Sequence, residues 1–185
     1  MKLGILSDSH GNLEALTKTF ELFGDVCGVI HAGDILYHPP RVTDFSDYRL
    51  MDCVNFLNSR LVPITAVKGN CDSEVYSELL NFDTEKSTSV YKFGDVNIAV
   101  NHGHNLNDIA KICLAKDLKA QIFVSGHTHV PVLEKRDGVI LLNPGSIARP
   151  LWPREAPDAT CCIIEDRNIK ILSLNGEKVY FELDF

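Results

Sequence analysis

A chain of 185 residues, 45% apolar and 23% charged, is long enough to bury its own core as one domain over 1–185. A net charge of −7 excludes a general binder of nucleic acid or of anionic membranes, which needs a basic face. It leaves room for a small anionic substrate, provided bound cations reverse the field inside a pocket.

In chain order, "KLGILS" reads as a strand and "NLEALTKTFELF" as a helix, with Leu13, Leu16, Phe20 and Phe23 at helical spacing. The strand "VCGVIHAG" comes next, then a proline-punctuated polar stretch at 36–49 expected to form an inserted surface loop. After it come the helical "DCVNFLNSR", the strand "LVPITAVKG" and a less regular stretch to about Lys86. "VNIAV" precedes a helical "LNDIAKICLAKDL", and "AQIFVSG" closes the alternating part. The last third reads as hairpin strands: "VPVLEKR", "GVILLN", "ATCCIIED", "NIKILSL" and "KVYFELDF". An α/β pattern giving way to β predicts a sheet core covered by helices. Six cysteines occur without any CxxC pair, so they are expected to be mostly reduced core side chains. No run of 18 apolar residues exists, and the first apolar stretch meets Asp8 too soon for a signal peptide. A cytoplasmic chain without a membrane partner is expected.

The residues just past each early strand carry the chemistry. After the first strand come Asp8-Ser9-His10, after the second Asp34, after the third Asn70, after the fourth Asn101-His102-Gly103-His104 and after the fifth His127-Thr128-His129. In open α/β sheets functional groups gather beyond the carboxyl ends of strands, so neighbouring strands would bring this set to one edge. His-x-His at a strand end is expected to point both rings the same way. Imidazole and carboxylate without thiolate suit Mn, Fe, Ni, Co or Zn. Seven protein ligands are too many for one catalytic ion with open positions. They suffice for two ions sharing a carboxylate, a pair that binds a phosphate ester and acidifies a water. Taken singly, each block has a plainer reading: Asp8-Ser9-His10 as a helix cap and turn, His31 as a strand residue, His38 as an exposed loop residue, Asn143-Pro144-Gly145-Ser146 as a turn.

The order Asp-x-His, Gly-Asp, Gly-Asn, His-Gly-His, Gly-His-x-His resembles the calcineurin-like metallophosphoesterases. "GNCDSE", "NHGH", "GHTHVP" and "NPGS" are more narrowly similar to the small bacterial YfcE-type phosphodiesterases. The resemblance implies the metallo-dependent phosphatase fold, a four-layer α/β/β/α sandwich of two mixed sheets flanked by helices. It also implies that Asp8, His10, Asp34 and His129 hold one divalent ion. Asp34 would bridge to a second ion completed by Asn70, His102 and His127. His104 would stand beside the site against the phosphoryl oxygens. Mn²⁺ is the expected ion, with Ni²⁺, Fe²⁺, Zn²⁺, Co²⁺ and Mg²⁺ as alternatives.

Asn70 is therefore the residue its turn presents, with Gly69 expected to let the backbone bend. Cys71 departs from many family phosphatases, which carry a histidine there as general acid. A thiol replaces it poorly, so phosphodiesters with good leaving groups are the expected substrates. Cys71 is read as non-nucleophilic and, with His38 and Arg149, as a candidate substrate contact. The expected reaction is in-line attack on phosphorus by hydroxide held between the ions. The alternatives are a phosphomonoesterase or nucleotidase, and a non-catalytic protein-binding scaffold of the same fold. Edge strands in the last third, "VYFELDF" among them, would also serve a homo-oligomer.

Overall fold

The computed structural model describes residues 1–37, 48–151 and 158–185. Three parallel strands, β1 (Lys2–Leu6), β2 (Val29–His31) and β3 (Ile64–Ala66), start one sheet. Three antiparallel strands extend it on the other side of β1: β9 (Thr160–Glu165), β10 (Asn168–Ser173) and β11 (Val179–Asp184). The order is β11-β10-β9-β1-β2-β3. The second sheet runs β4-β5-β6-β8-β7, with β4 (Thr88–Phe93), β5 (Val96–Asn101), β6 (Ile122–Val124), β7 (Val132–Arg136) and β8 (Val139–Asn143). Of these, β5, β6 and β8 are parallel to one another.

Side-chain alternation along the strands explains the layering. Leu3 and Ile5 of β1 meet Ile98 and Val100 of β5, Ile122 and Val124 of β6 and Ile169 and Ile171 of β10 in one core between the sheets. The opposite face of the first sheet packs on helices α1 (Leu13–Phe23) and α2 (Leu50–Asn58) and the single turn α3 (Tyr76–Leu79). Phe23 lies so close to Gly4 that a Cβ there would fall 2.5 Å from its ring. The outer face of the second sheet packs on α4 (Asp108–Asp117) through Ala99, Ile112, Ala115, Phe123 and Leu141. The result is the expected α/β/β/α sandwich. Asn12 caps α1 by accepting the Ala15 N–H at 2.9 Å, and Asn107 caps α4 in the same way.

One expectation needs correcting. The five strands that end in Asp, Asn or His are not neighbours in one sheet: β1, β2 and β3 belong to the first, β5 and β6 to the second. Their functional ends meet because the two sheets lie face to face with these carboxyl ends on the same side. Two elements went unread in the sequence, the edge strand β4 and the short α3. Of the 36–49 stretch, Leu36, Tyr37, Tyr48 and Arg49 are described; Leu36 is fully buried, not part of a surface loop. No helix among the described residues is long and apolar enough to cross a membrane.

Candidate metal centre

Past the ends of β1, β2 and β6 the backbone turns sharply. Asp8, His10, Asp34, His127 and His129 all have positive φ, between 44° and 68°. They are five of the eight non-glycine residues in that region among the described residues. Asp and His tolerate the left-handed well better than most residues, but such clustering is a form of stored strain that gathers at functional sites. The turns bring Asp8 and Asp34 into the gap between the sheets, both buried.

Three imidazoles surround the two carboxylates, and each is held by its far nitrogen. His10 Nδ1 lies 2.7 Å from the Tyr37 carbonyl, His102 Nδ1 2.7 Å from the Ala32 carbonyl and His129 Nδ1 2.5 Å from the Arg149 carbonyl. A carbonyl only accepts, so each Nδ1 carries the hydrogen and each Nε2 faces the carboxylates. His129 Nε2 is 3.3 Å from Asp8 Oδ1, and His102 Nε2 is 3.5 Å from Asp34 Oδ1. His10 Nε2 is 3.9 Å from Asp34 Oδ2 and 3.3 Å from His129 Nε2. Asp8 Oδ1 is buried and makes no well-formed hydrogen bond.

Groups that chiefly accept thus converge on a small space, which calls for positive charge. The two carboxylates also pull on the protons of the rings that face them. Burial works against a charged His102, but the hydrogen bond to Asp34 and the charges of Asp8 and Asp34 raise its pKa to about 9. Burial opposes the charge on His129 too, and its contact with Asp8 raises it overall. Burial also opposes the Asp34 charge, yet His102 and the Cys71 N–H hold that carboxyl well below its usual range. His10 differs: burial dominates and lowers it.

Two sets of ligand atoms lie within 4.8 Å of one another, Asp8-His10-His129 and Asp8-Asp34-His102. Asp34 turns Oδ2 toward His10 and Oδ1 toward His102, while Asp8 Oδ2 already accepts the His127 N–H at 3.1 Å. The donor set, oxygen and imidazole with a buried unpartnered carboxylate oxygen, fits divalent ions. Asn70 Oδ1 is 3.1 Å from His102 Nε2, on that side of the site. The His127 ring stands 5.4 Å from that of His102 and 6.0 Å from that of His104. It belongs to neither set, and the two rings of His-x-His do not point the same way. With both residues at positive φ, strand alternation no longer applies, and His129 joins His10 (ring centroids 5.3 Å apart) while His127 joins His102 and His104.

Gly69 acts differently from the expectation. Its φ is not in the positive region; instead the Asp34 carboxylate and amide occupy the space that a Cβ would need. Gly69→Ala is expected to cost about 1–3 kcal/mol, lowering the melting temperature by several degrees and weakening ion binding. Unfolding scans with and without Mn²⁺ check both, and a wild-type melting temperature in both scans would refute it. Cys71 is half-buried beside Asn70, and burial with the nearby Asp34 charge pushes its thiol up to about 12. The Arg149 carbonyl serves His129. Asn143 and Ser146 of the turn are buried: Asn143 Nδ2 donates to the Gly126 carbonyl at 2.8 Å and Ser146 Oγ to the Asp8 carbonyl at 2.9 Å. His38 lies outside the described residues.

Sequence reading missed two supports. Asp72 is buried and accepts from the N–H groups of Asp34, Ile35 and Gly69, each at 2.8 Å. His31 is more than a strand residue: its Nε2 donates to Ser9 Oγ at 2.8 Å, and its Nδ1 accepts the Gly33 N–H at 3.2 Å. Ser9 Oγ in turn donates to the Ile35 carbonyl, so it must accept from His31. Burial lowers the His31 pKa to about 4, and the ring ties the Asp8 and Asp34 turns together in neutral form.

Residues 1–168 match the family model of the calcineurin-like phosphoesterase superfamily domain. Phosphodiesterase YfcE of Escherichia coli strain K12 is 30% identical over 181 residues, covering 97% of this chain and 95% of its own. The solved structure of E. coli YfcE, described as a phosphoesterase, superposes with a TM-score of 0.85 at 29% identity, covering 100% of this chain and 99% of the other. Vacuolar protein sorting 29 of Cryptosporidium parvum shares the fold, with a TM-score of 0.72 at 17% identity over 100% of this chain and 98% of its own.

Proposed function

The chain belongs to the calcineurin-like phosphoesterase superfamily, and from that membership we propose that it is a phosphodiesterase acting on small phosphodiesters at a pair of divalent ions, Mn²⁺ by preference. One observation carries the reading: three imidazoles are pinned through Nδ1 to backbone carbonyls and turn Nε2 toward two buried aspartates. One ion would take Asp8, His10, Asp34 and His129, and the other Asp34, Asn70, His102 and His127. Asp34 bridges in this reading because its two oxygens face different imidazoles, Oδ2 toward His10 and Oδ1 toward His102. When bound, the ions supply Lewis acidity toward the phosphoryl oxygens and an acidified water.

The residues do the rest. The carbonyl-anchored rings keep their ligand nitrogens in place without rearrangement. His104 is exposed beside His102, ring centroids 5.6 Å apart, where it can donate to a phosphoryl oxygen as the catalytic partner of Asp34 and Asn70. Arg149, whose carbonyl holds His129, would clamp the ester through its guanidinium; Arg149→Ala is expected to raise the Michaelis constant, and an unchanged value would remove the assignment.

The experiment that tests the function is hydrolysis of bis(p-nitrophenyl) phosphate by chelator-stripped protein, with Mn²⁺, Ni²⁺, Mg²⁺ or Zn²⁺ restored singly. Turnover should vanish on stripping and return best with Mn²⁺. Folded protein that stays inert with every ion would leave the protein-binding scaffold as the better reading, and faster cleavage of the matching monoester would favour a phosphomonoesterase.

A further inference from the structure

Asp72 is buried within hydrogen-bonding reach of the Asp34 turn, yet neither ligand set includes it. We propose that Asp72 is a positioning residue which sets the ion position served by Asn70 and His102, and affects the position served by His10 and His129 less, through Asp34 alone. The inference rests on the two-ion reading above.

The strands β2 and β3 pair over three residues each, ending at His31 and Ala66. Beyond that ladder the chain splits into two turns, one carrying Asp34 and the other Asn70. Asp72 spans them: Oδ2 accepts from the Asp34 and Gly69 amides, and Oδ1 from the Ile35 amide. Two successive amides converge on one carboxylate because Asp34 sits at φ 56°, the geometry of a backbone anion nest. Asp72 therefore stabilises the conformation that aims the Asp34 side chain at the imidazoles. The same carboxylate closes its own turn on Gly69, which fixes where Asn70 stands, and the Cys71 amide then reaches Asp34 Oδ1 at 2.8 Å. Asp34 and Asn70 are thus placed by a single group.

The other ion position has separate supports. Ser146 holds the Asp8 carbonyl, the His127 amide holds Asp8 Oδ2, and the carbonyls of Tyr37 and Arg149 hold His10 and His129. None of these contacts involves Asp72, which reaches this position only through the Asp34 turn, whose carbonyl accepts the His10 N–H at 3.0 Å.

The test is Mn²⁺ binding to the full chain after chelator stripping, by calorimetry and by electron paramagnetic resonance, for wild type, Asp72→Asn, Asp72→Ser, Asn70→Ala and His129→Ala. Wild type should bind two ions and show a spin-coupled spectrum. Both Asp72 variants should bind one ion only a few-fold more weakly and the second roughly 10–100-fold more weakly, the usual cost of losing a group that orients ligands. Their spectra should become those of isolated Mn²⁺ at one equivalent. Adding Asp72→Asn to Asn70→Ala should cost little more, whereas adding it to His129→Ala should weaken both ions. Wild-type binding by both variants, equal weakening of both ions, or a failure of both variants to fold would each overturn the proposal. Wild type that binds fewer than two ions would instead overturn the two-ion reading beneath it.

Discussion

Asp34→Asn is expected to lower kcat for bis(p-nitrophenyl) phosphate at least ~10³-fold, since losing ~4 kcal/mol of transition-state stabilisation has that effect. The substitution keeps the size and planarity of the side chain, so the Asp34 turn can retain its backbone contacts to Asp72. It removes a charge and replaces one of two oxygens with an NH₂ donor. Whichever way the amide sits, that donor faces an imidazole Nε2, His10 on one side or His102 on the other, and a cation cannot be shared across it. Single-turnover kinetics with saturating Mn²⁺, beside a calorimetric count of bound ions, separates lost binding from lost chemistry. Wild-type turnover from a variant retaining two ions would sink Asp34 as the bridge. Phosphoryl stabilisation by His104 does not offset this loss, and Asp8 reaches both imidazole clusters through Oδ1 alone, where Asp34 presents one oxygen to each.

The ligand types and their places at strand ends were legible because they depend on local pattern. "KLGILS" is a short apolar run buried along β1 and broken off by Ser7-Asp8, so the residues directly after it had to leave the strand at its carboxyl end. The four-layer arrangement was not readable from periodicity and rested on the family resemblance. Whether β3 and β5 lie side by side or in separate sheets depends on pairings between distant residues that strand pattern does not encode. The sequence "TSVYKF" escaped because β4 is an edge strand with mixed exposure: Tyr91 and Phe93 face the core, while the apolar Val90 lies on the outward face and blurs the alternation. His127 and His129 were expected to act together because strand geometry was extended past the end of β6, where positive φ breaks it. Asp72 was invisible for a different reason. Two of its partners are backbone amides 37 and 38 residues away, and an amide leaves no trace in residue identity.

Cys71 is expected to decide which esters the centre cleaves. A general acid at that place is worth about 10²–10⁴ in rate toward a poor leaving group and little toward a p-nitrophenolate, which departs without a proton. The thiol is a poor proton donor for this step: an ordinary thiol pKa of about 8.5 already lies above the operating pH that suits proton transfer, and burial pushes this one further up. Wild type should therefore favour aryl over alkyl phosphodiesters by a wide margin, with log kcat falling steeply as the leaving-group pKa rises. Cys71→His, which puts an imidazole beside Asn70, should raise turnover of alkyl esters about 10²-fold while leaving aryl diesters within a few-fold, and so flatten that slope. Cys71→Ala should leave aryl diester turnover close to wild type, because a thiol held protonated cannot serve as a nucleophile. A collapse of activity in Cys71→Ala with both ions still bound would make the thiol a participant in the chemistry. An unchanged slope in a folded, ion-loaded Cys71→His would mean that the acid enters from elsewhere, with His104, exposed on the same side of the site, the next side chain to replace.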